Sequence, residues 1–136
     1  ETFFSILEVL GVTPEQFFSQ QPLEQKIVYN EEESTLYYDE EHGYELKWLI
    51  PASNEKEMEP VIITFDKNGE YKTFEPSLSE TFIYVIDGSI RLILGEATYI
   101  AKKGQTMYYQ ATEPHQISNN GRGKSRALIV ATESYL

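Results

Sequence analysis

The chain has 136 residues, 40% of them hydrophobic, no cysteine and a formal net charge of −11. That length suits one compact domain with a short appendage, and the missing cysteines exclude a disulfide framework and thiolate chemistry and fit a reducing, cytoplasmic compartment. A surface this acidic repels phosphate backbones, so these residues are not expected to bind nucleic acid themselves, and no apolar run approaches membrane-spanning length.

Residues 1–20, ETFFSILEVLGVTPEQFFSQ, place Phe3, Ile6, Leu7 and Leu10 at helical spacing. Gly11 ends that helix from just past its C-terminus. Thr13 caps a second helix, with Pro14 in its first turn and Gln16 completing a capping box. Such an apolar stripe needs a partner, so the two helices are expected to close a larger helical domain upstream. Residues 21–33 are polar, contain Pro22 and end in three glutamates, which reads as a linker; Ile27, Val28 and Tyr29 are its one stretch able to pair as an edge strand. The acidic runs at 31–33, 39–41 and 55–59 read first as solvated surface and second as a cation-binding patch.

From residue 34 to 136 the period is that of strands. Leu36 and Tyr38 alternate, then Tyr44, Leu46, Trp48 and Ile50, with His42 and Gly43 at the turn. Residues 61–65 form a strand closed by the turn Asp66-Lys67-Asn68-Gly69. Strands follow at 82–86, 90–94, 98–101, 107–109, around Ile117, and at 127–131. Many short strands with turn residues between them predict an all-β domain, an antiparallel sandwich or barrel. The strand Phe82-Ile83-Tyr84-Val85-Ile86 is apolar on both faces, which requires cover on both sides. A second sheet or a second copy of the chain would supply it, and a homodimer is expected.

The segment SETFIYVIDG, ending at Gly88, and the segment GQTMYYQATEPHQISNN, with Gly104, His115 and Asn119, resemble the two motifs of a cupin domain, a double-stranded antiparallel β-barrel. The piece GYELKWLIPASNEKEMEPVIITF is similar to the early strands of one cupin subgroup, in which the barrel follows an Xre-type helix-turn-helix domain. LEVLGVTPEQFF is similar to the closing helices of that domain. The resemblance implies a bacterial transcriptional regulator. Its partner would be DNA, read by a recognition helix upstream of Glu1, while the barrel senses a small-molecule effector or holds a dimer together.

Many cupins hold a transition metal with three histidines and a glutamate. Counted back from Gly88, the histidine positions fall on Glu75 and Ser77 and the glutamate position on Thr81; only His115 matches. Glu80 should point away if Thr81 points in. Gln110 and Thr112 replace the proline and glycine of the second motif. Two donors at most do not make a tight site, so no metal and no cofactor are expected. With Thr81 inward, Ile83 and Val85 follow by alternation, as do Ile90, Leu92 and Leu94 in the next strand, with Ser89 and Arg91 outside. The interior then reads as an organic-ligand pocket, with His115, Tyr109, Thr81, Ser77 and Glu75 as polar candidates beside Met107 and Trp48.

Each candidate has a plainer alternative. His115 can serve as a hydrogen-bonded core histidine, and Tyr109 and Trp48 as ordinary core aromatics. Asn119 reads as a turn stabiliser and His42 as an exposed turn residue. No Ser-His-Asp pattern, phosphate loop or recognisable carboxylate pair is present. The leading expectation is therefore a non-enzymatic, effector-sensing and dimerising region of a regulator. A metal-dependent cupin enzyme of oxygenase or isomerase type, using His115 and Glu75, and a purely structural dimerisation barrel are the alternatives.

Overall fold

A computed structural model describes residues 25–133 and 136. The helices expected over residues 1–20 lie outside the described residues. Ten strands follow one another: β1 (Thr35–Asp39), β2 (Tyr44–Trp48), β3 (Met58–Phe65), β4 (Glu70–Phe74), β5 (Glu80–Asp87), β6 (Ser89–Leu94), β7 (Ala97–Lys102), β8 (Thr106–Gln110), β9 (His115–Asn119) and β10 (Ser125–Thr132). They form two antiparallel sheets, a large one ordered β1-β2-β3-β10-β5-β8 and a small one ordered β4-β9-β6-β7. The expected antiparallel β-barrel is what the chain adopts. Ile27 and Val28 are exposed and belong to no strand, so the stretch able to pair as an edge strand does not pair within this chain. No helix among the described residues is long and apolar enough to cross a membrane.

Alternation fills the space between the sheets. Val61, Ile63 and Phe65 of β3, Ile83 and Val85 of β5 and Ala127 and Ile129 of β10 are buried on one wall, facing Ile90 and Leu92 of β6 and Ile117 of β9. Each of these side chains other than Ala127 contributes about 1.5–3 kcal/mol through removal from water. Aromatic rings continue the core along β2 and β4: Tyr44 meets Tyr71 edge-on at 5.0 Å between ring centres, and Tyr71 meets Phe74 at 5.2 Å.

The turns follow the glycines. Gly88 joins β5 to β6 at φ +76°, and an added Cβ would lie 2.1 Å from Ser125 Oγ. Ser89, placed outside by alternation, is buried instead. Its hydroxyl donates to the Ala101 carbonyl, and its own oxygen accepts from Asn120 Nδ2. Arg91 covers this corner by donating to Asn120 Oδ1 at 2.7 Å.

The strand β4 was hidden in the sequence by an irregularity. Glu70 pairs with Ser118 but Thr73 pairs with Gln116, so the register slips by one residue between them. This bulge makes Tyr71 and Phe74 the inward residues, three apart rather than two.

The outer face of the large sheet carries an apolar patch at its centre. Pro60, Val130, Phe82 and Tyr108 lie in one cross-strand row, and Ile62, Leu128 and Tyr84 in the next. Tyr84 is 40% exposed and Tyr108 66%. The two-sided apolarity of β5 is thus real, and within the described residues the second face has no covering layer.

Candidate functional site

One end of the barrel interior is polar. Glu59, Ala131, Thr81 and Tyr109 stand directly opposite one another across β3, β10, β5 and β8, all turned inward and all buried. One step deeper the row is Val61, Ile129, Ile83 and Met107, which is wholly apolar. Across the gap the small sheet presents Phe74, His115 and Leu94 in register.

His115 is 2% exposed. Its ring lies nearly parallel to Phe74, with centres 5.1 Å apart and planes 20° apart, and meets Tyr109 edge-on at 5.6 Å. Nδ1 lies 3.0 Å from the Glu113 carbonyl oxygen. A carbonyl only accepts, so Nδ1 is the donor in this contact. Nε2 and the Tyr109 hydroxyl are both shielded from solvent.

The predicted site residues separate into groups. Thr81, Tyr109 and His115 come together at the polar end, with Met107 in the row below. Ser77 is half-buried in the loop before β5, where its hydroxyl accepts from the Ser79 N–H at 3.1 Å. Glu75 is exposed and does not belong to the site. The β4 bulge is the physical reason: it turns Phe74 inward opposite His115, so the next residue faces out. Trp48 is half-buried at the opposite side, in a shallow depression beside Glu59, and is not adjacent to His115 in the strand order.

Residues missed by pattern reading also line this end. Glu59 was signalled by its parity with Val61, Ile63 and Phe65 but was hidden among the acids of 55–59. Ser79, fully buried, and Tyr71, inward through the bulge, carried no readable signal.

A groove of about 430 Å³ opens along the seam where edge strands β7 and β8 leave the two sheets unclosed. Leu92, Leu94, Tyr99, Ala101, Met107 and Tyr109 line it, so Tyr109 connects the groove to His115. The lining mixes aliphatic and aromatic side chains with polar groups, among them Gln105 and Thr106, which suits a small organic molecule. Asn119 lies at the other end of β9. Its amide donates to the Asp66 and Gly123 carbonyls, and its oxygen accepts from the Gly121 N–H and the Ser125 hydroxyl. That is a turn clamp, not a ligand contact.

Residues 62–131 match the cupin domain family. The chain belongs to the cupins. No curated protein matches it by sequence. Among solved structures, this cupin is similar to an HTH_3 family transcriptional regulator from Vibrio cholerae, at 16% identity over 96% of this chain and 70% of that one, with a TM-score of 0.61. It is similar to the Cupin_2 domain of an XRE family transcriptional regulator from Enterobacter cloacae, at 13% identity, 66% and 96% coverage and a TM-score of 0.59. It is also similar to the polyketide cyclase RemF from Streptomyces resistomycificus, at 20% identity, 81% coverage of each chain and a TM-score of 0.62. Likeness at these identities speaks for the fold.

The donor set does not fit the metal centre common in cupins. Among the described residues no three His, Cys, Asp or Glu side chains stand together, and Glu75 and His115 face opposite sides of the small sheet. A tight transition-metal site usually needs three protein ligands or more.

Proposed function

We propose that this cupin is the effector-sensing and dimerising region of a bacterial transcriptional regulator, with DNA contacted by residues preceding the barrel and no catalysis in the barrel itself. The observation that carries the reading is the polar end of the interior: a buried imidazole against Tyr109, with Thr81 and Glu59 in the same cross-strand row as Tyr109, opening through Tyr109 to a groove. Such a lining recognises an organic molecule by shape and a few hydrogen bonds. The likeness to the two regulator structures supports the regulatory part, and the net charge of −11 supports leaving DNA to another part of the protein.

The outer face of the large sheet is the dimer surface in this reading. Its two central rows carry no acidic side chain, which favours contact between two copies of a strongly acidic chain there. An effector that binds one arrangement of the dimer better than another changes the spacing of the DNA-binding parts. An effector with equal affinity for both changes nothing.

The likeness to a polyketide cyclase favours a second reading, a cupin enzyme with His115 at its centre. Elemental analysis of protein purified without chelator separates the two. The regulatory reading expects iron, manganese, nickel and zinc all well below one equivalent. One full equivalent of any of them, lost together with a histidine-to-alanine change at 115, overturns it.

A further inference from the structure

Ile27 and Val28 are β-branched residues of strand type, yet they are 71% and 77% exposed. Asn30, just after them, is extended at φ −91° and ψ 162°. Ile27 and Tyr29 turn to one side and line a depression beside Lys47, Leu49 and Ile50. This stretch has strand character and no sheet.

Across the large sheet, β8 has a sheet neighbour on one side only. The Ala111 N–H donates to the Ser79 carbonyl and the Val85 N–H to the Gln105 carbonyl. Gln105 and Ala111 therefore bond towards β5, and by alternation so do Met107 and Tyr109. The backbone N–H and C=O groups of Thr106, Tyr108 and Gln110 then point to the open side. The seam groove runs beside that edge. Tyr99, opposite inward Leu92, faces the interior and is still 51% exposed. None of the residues lining the groove is charged. An open strand edge beside an uncharged groove takes up an extended chain, with main chain on the edge and alternate side chains in the groove.

We propose that residues 26–30 of a second copy pair with β8 as an added strand of the large sheet, laying Ile27 and Tyr29 into the groove and closing it beside Tyr109. The stretch matches the length of β8, Thr106–Gln110. Reach excludes the same copy as donor. Strand order sets β1 and β8 at opposite edges, about 24 Å apart along the sheet. Residues 30 to 35 span at most about 17 Å, and less through the turn at Glu31–Glu33. Two copies packed outer face to outer face about a two-fold axis along the strands set β1 of one over β8 of the other, about 10 Å away. The exchange is then reciprocal. Tyr108 belongs both to the apolar outer row and to β8, so patch and added strand form one continuous contact. The inference rests on the dimer of the preceding reading and adds that the groove is complete only in that dimer.

Hydrogen exchange by NMR on the intact, isotope-labelled chain tests it, above and below the concentration at which sedimentation shows the dimer dissociating. The Thr106, Tyr108 and Gln110 amides are expected to exchange at least about a hundredfold more slowly in the dimer than in the monomer. Ile27 is exposed in the single chain, so Ile27→Asp leaves the barrel folded, with unchanged exchange of the β10 amides as the check. That substitution is expected to return the three amides to the monomer rate and to weaken the dimer at least about tenfold. A dimer whose three amides exchange as fast as in the monomer overturns the inference and leaves the dimeric reading standing, as does protection that survives Ile27→Asp. Amides already protected in the monomer would mean that the chain covers its own edge, and overturn it likewise. A chain that is monomeric at every concentration removes the dimeric reading and this inference with it.

Discussion

Replacing Asn119 by alanine separates a structural motif residue from a ligand contact. The side chain is 6% exposed and makes four hydrogen bonds of 2.7–2.8 Å, donating to Asp66 O and Gly123 O and accepting from Gly121 N and Ser125 Oγ. Each is worth about 1 kcal/mol net, and more where the orphaned partner stays buried. Gly123 is exposed, so its carbonyl regains water, whereas the Ser125 hydroxyl is wholly buried and does not. The expected loss is about 3 kcal/mol. With a urea dependence of about 2 kcal/mol per molar, the unfolding midpoint falls by roughly 1.5 M. Asn119→Asp should be worse than alanine, because a second carboxylate oxygen would face two carbonyl oxygens. Binding of any ligand at His115 should be unchanged, since four residues of strand separate the two positions by about 13 Å. A loss under about 1 kcal/mol, or a changed affinity in a variant that remains folded, would refute the clamp assignment.

Gly88→Ala forces an alanine to φ +76° and sets its Cβ 2.1 Å from Ser125 Oγ and 2.9 Å from the Lys124 carbonyl. The conformation costs about 1–2 kcal/mol and the overlap about as much again, so calorimetry should show Tm lower by roughly 10 °C. His42 lies with Nδ1 2.9 Å from Asp39 Oδ2, and that carboxylate raises the imidazole pKa above its ordinary value, while hydrogen bonds from His42 lower that of Asp39. The His42 contribution to stability is complete below about pH 6.5 and fades as pH rises through its raised value. The Asp39 contribution is present above about pH 3.8 and fades as pH falls through its lowered value. An NMR titration should therefore place His42 above its usual range, with Asp39→Asn returning it there; no change on that substitution would count against the pair. Tyr84→Glu puts a charge in the centre of the outer apolar face, and sedimentation should show a dimer of the parent becoming a monomer of unchanged fold.

The alternation of β3 and β5 was readable because both faces of a sheet record burial residue by residue. Thr81, Ile83 and Val85 inward, Glu80 outward, and Tyr109 and Met107 on one face all follow from that period. It fails where the backbone leaves the period. The slip between Glu70 and Thr73 moves every inward position of β4 by one, so Phe74 rather than Glu75 reaches His115. Pairings between distant segments leave even less trace. Nothing near Glu59 or Tyr71 announces that both meet Leu136, because their contact depends on how two sheets close. The glycines and Asn119 were legible for the opposite reason: a positive φ or a tight clamp restricts which residue fits.

The central claim is that this barrel receives a signal for a neighbouring DNA-binding part. Fluorescence anisotropy with the full-length natural protein and a duplex from its own upstream region tests it most directly. Salt-dependent binding by that protein, and none by residues 25–136 alone, is the predicted result. Failure of the full-length protein to bind any such duplex, or equal binding by the barrel alone, would contradict it.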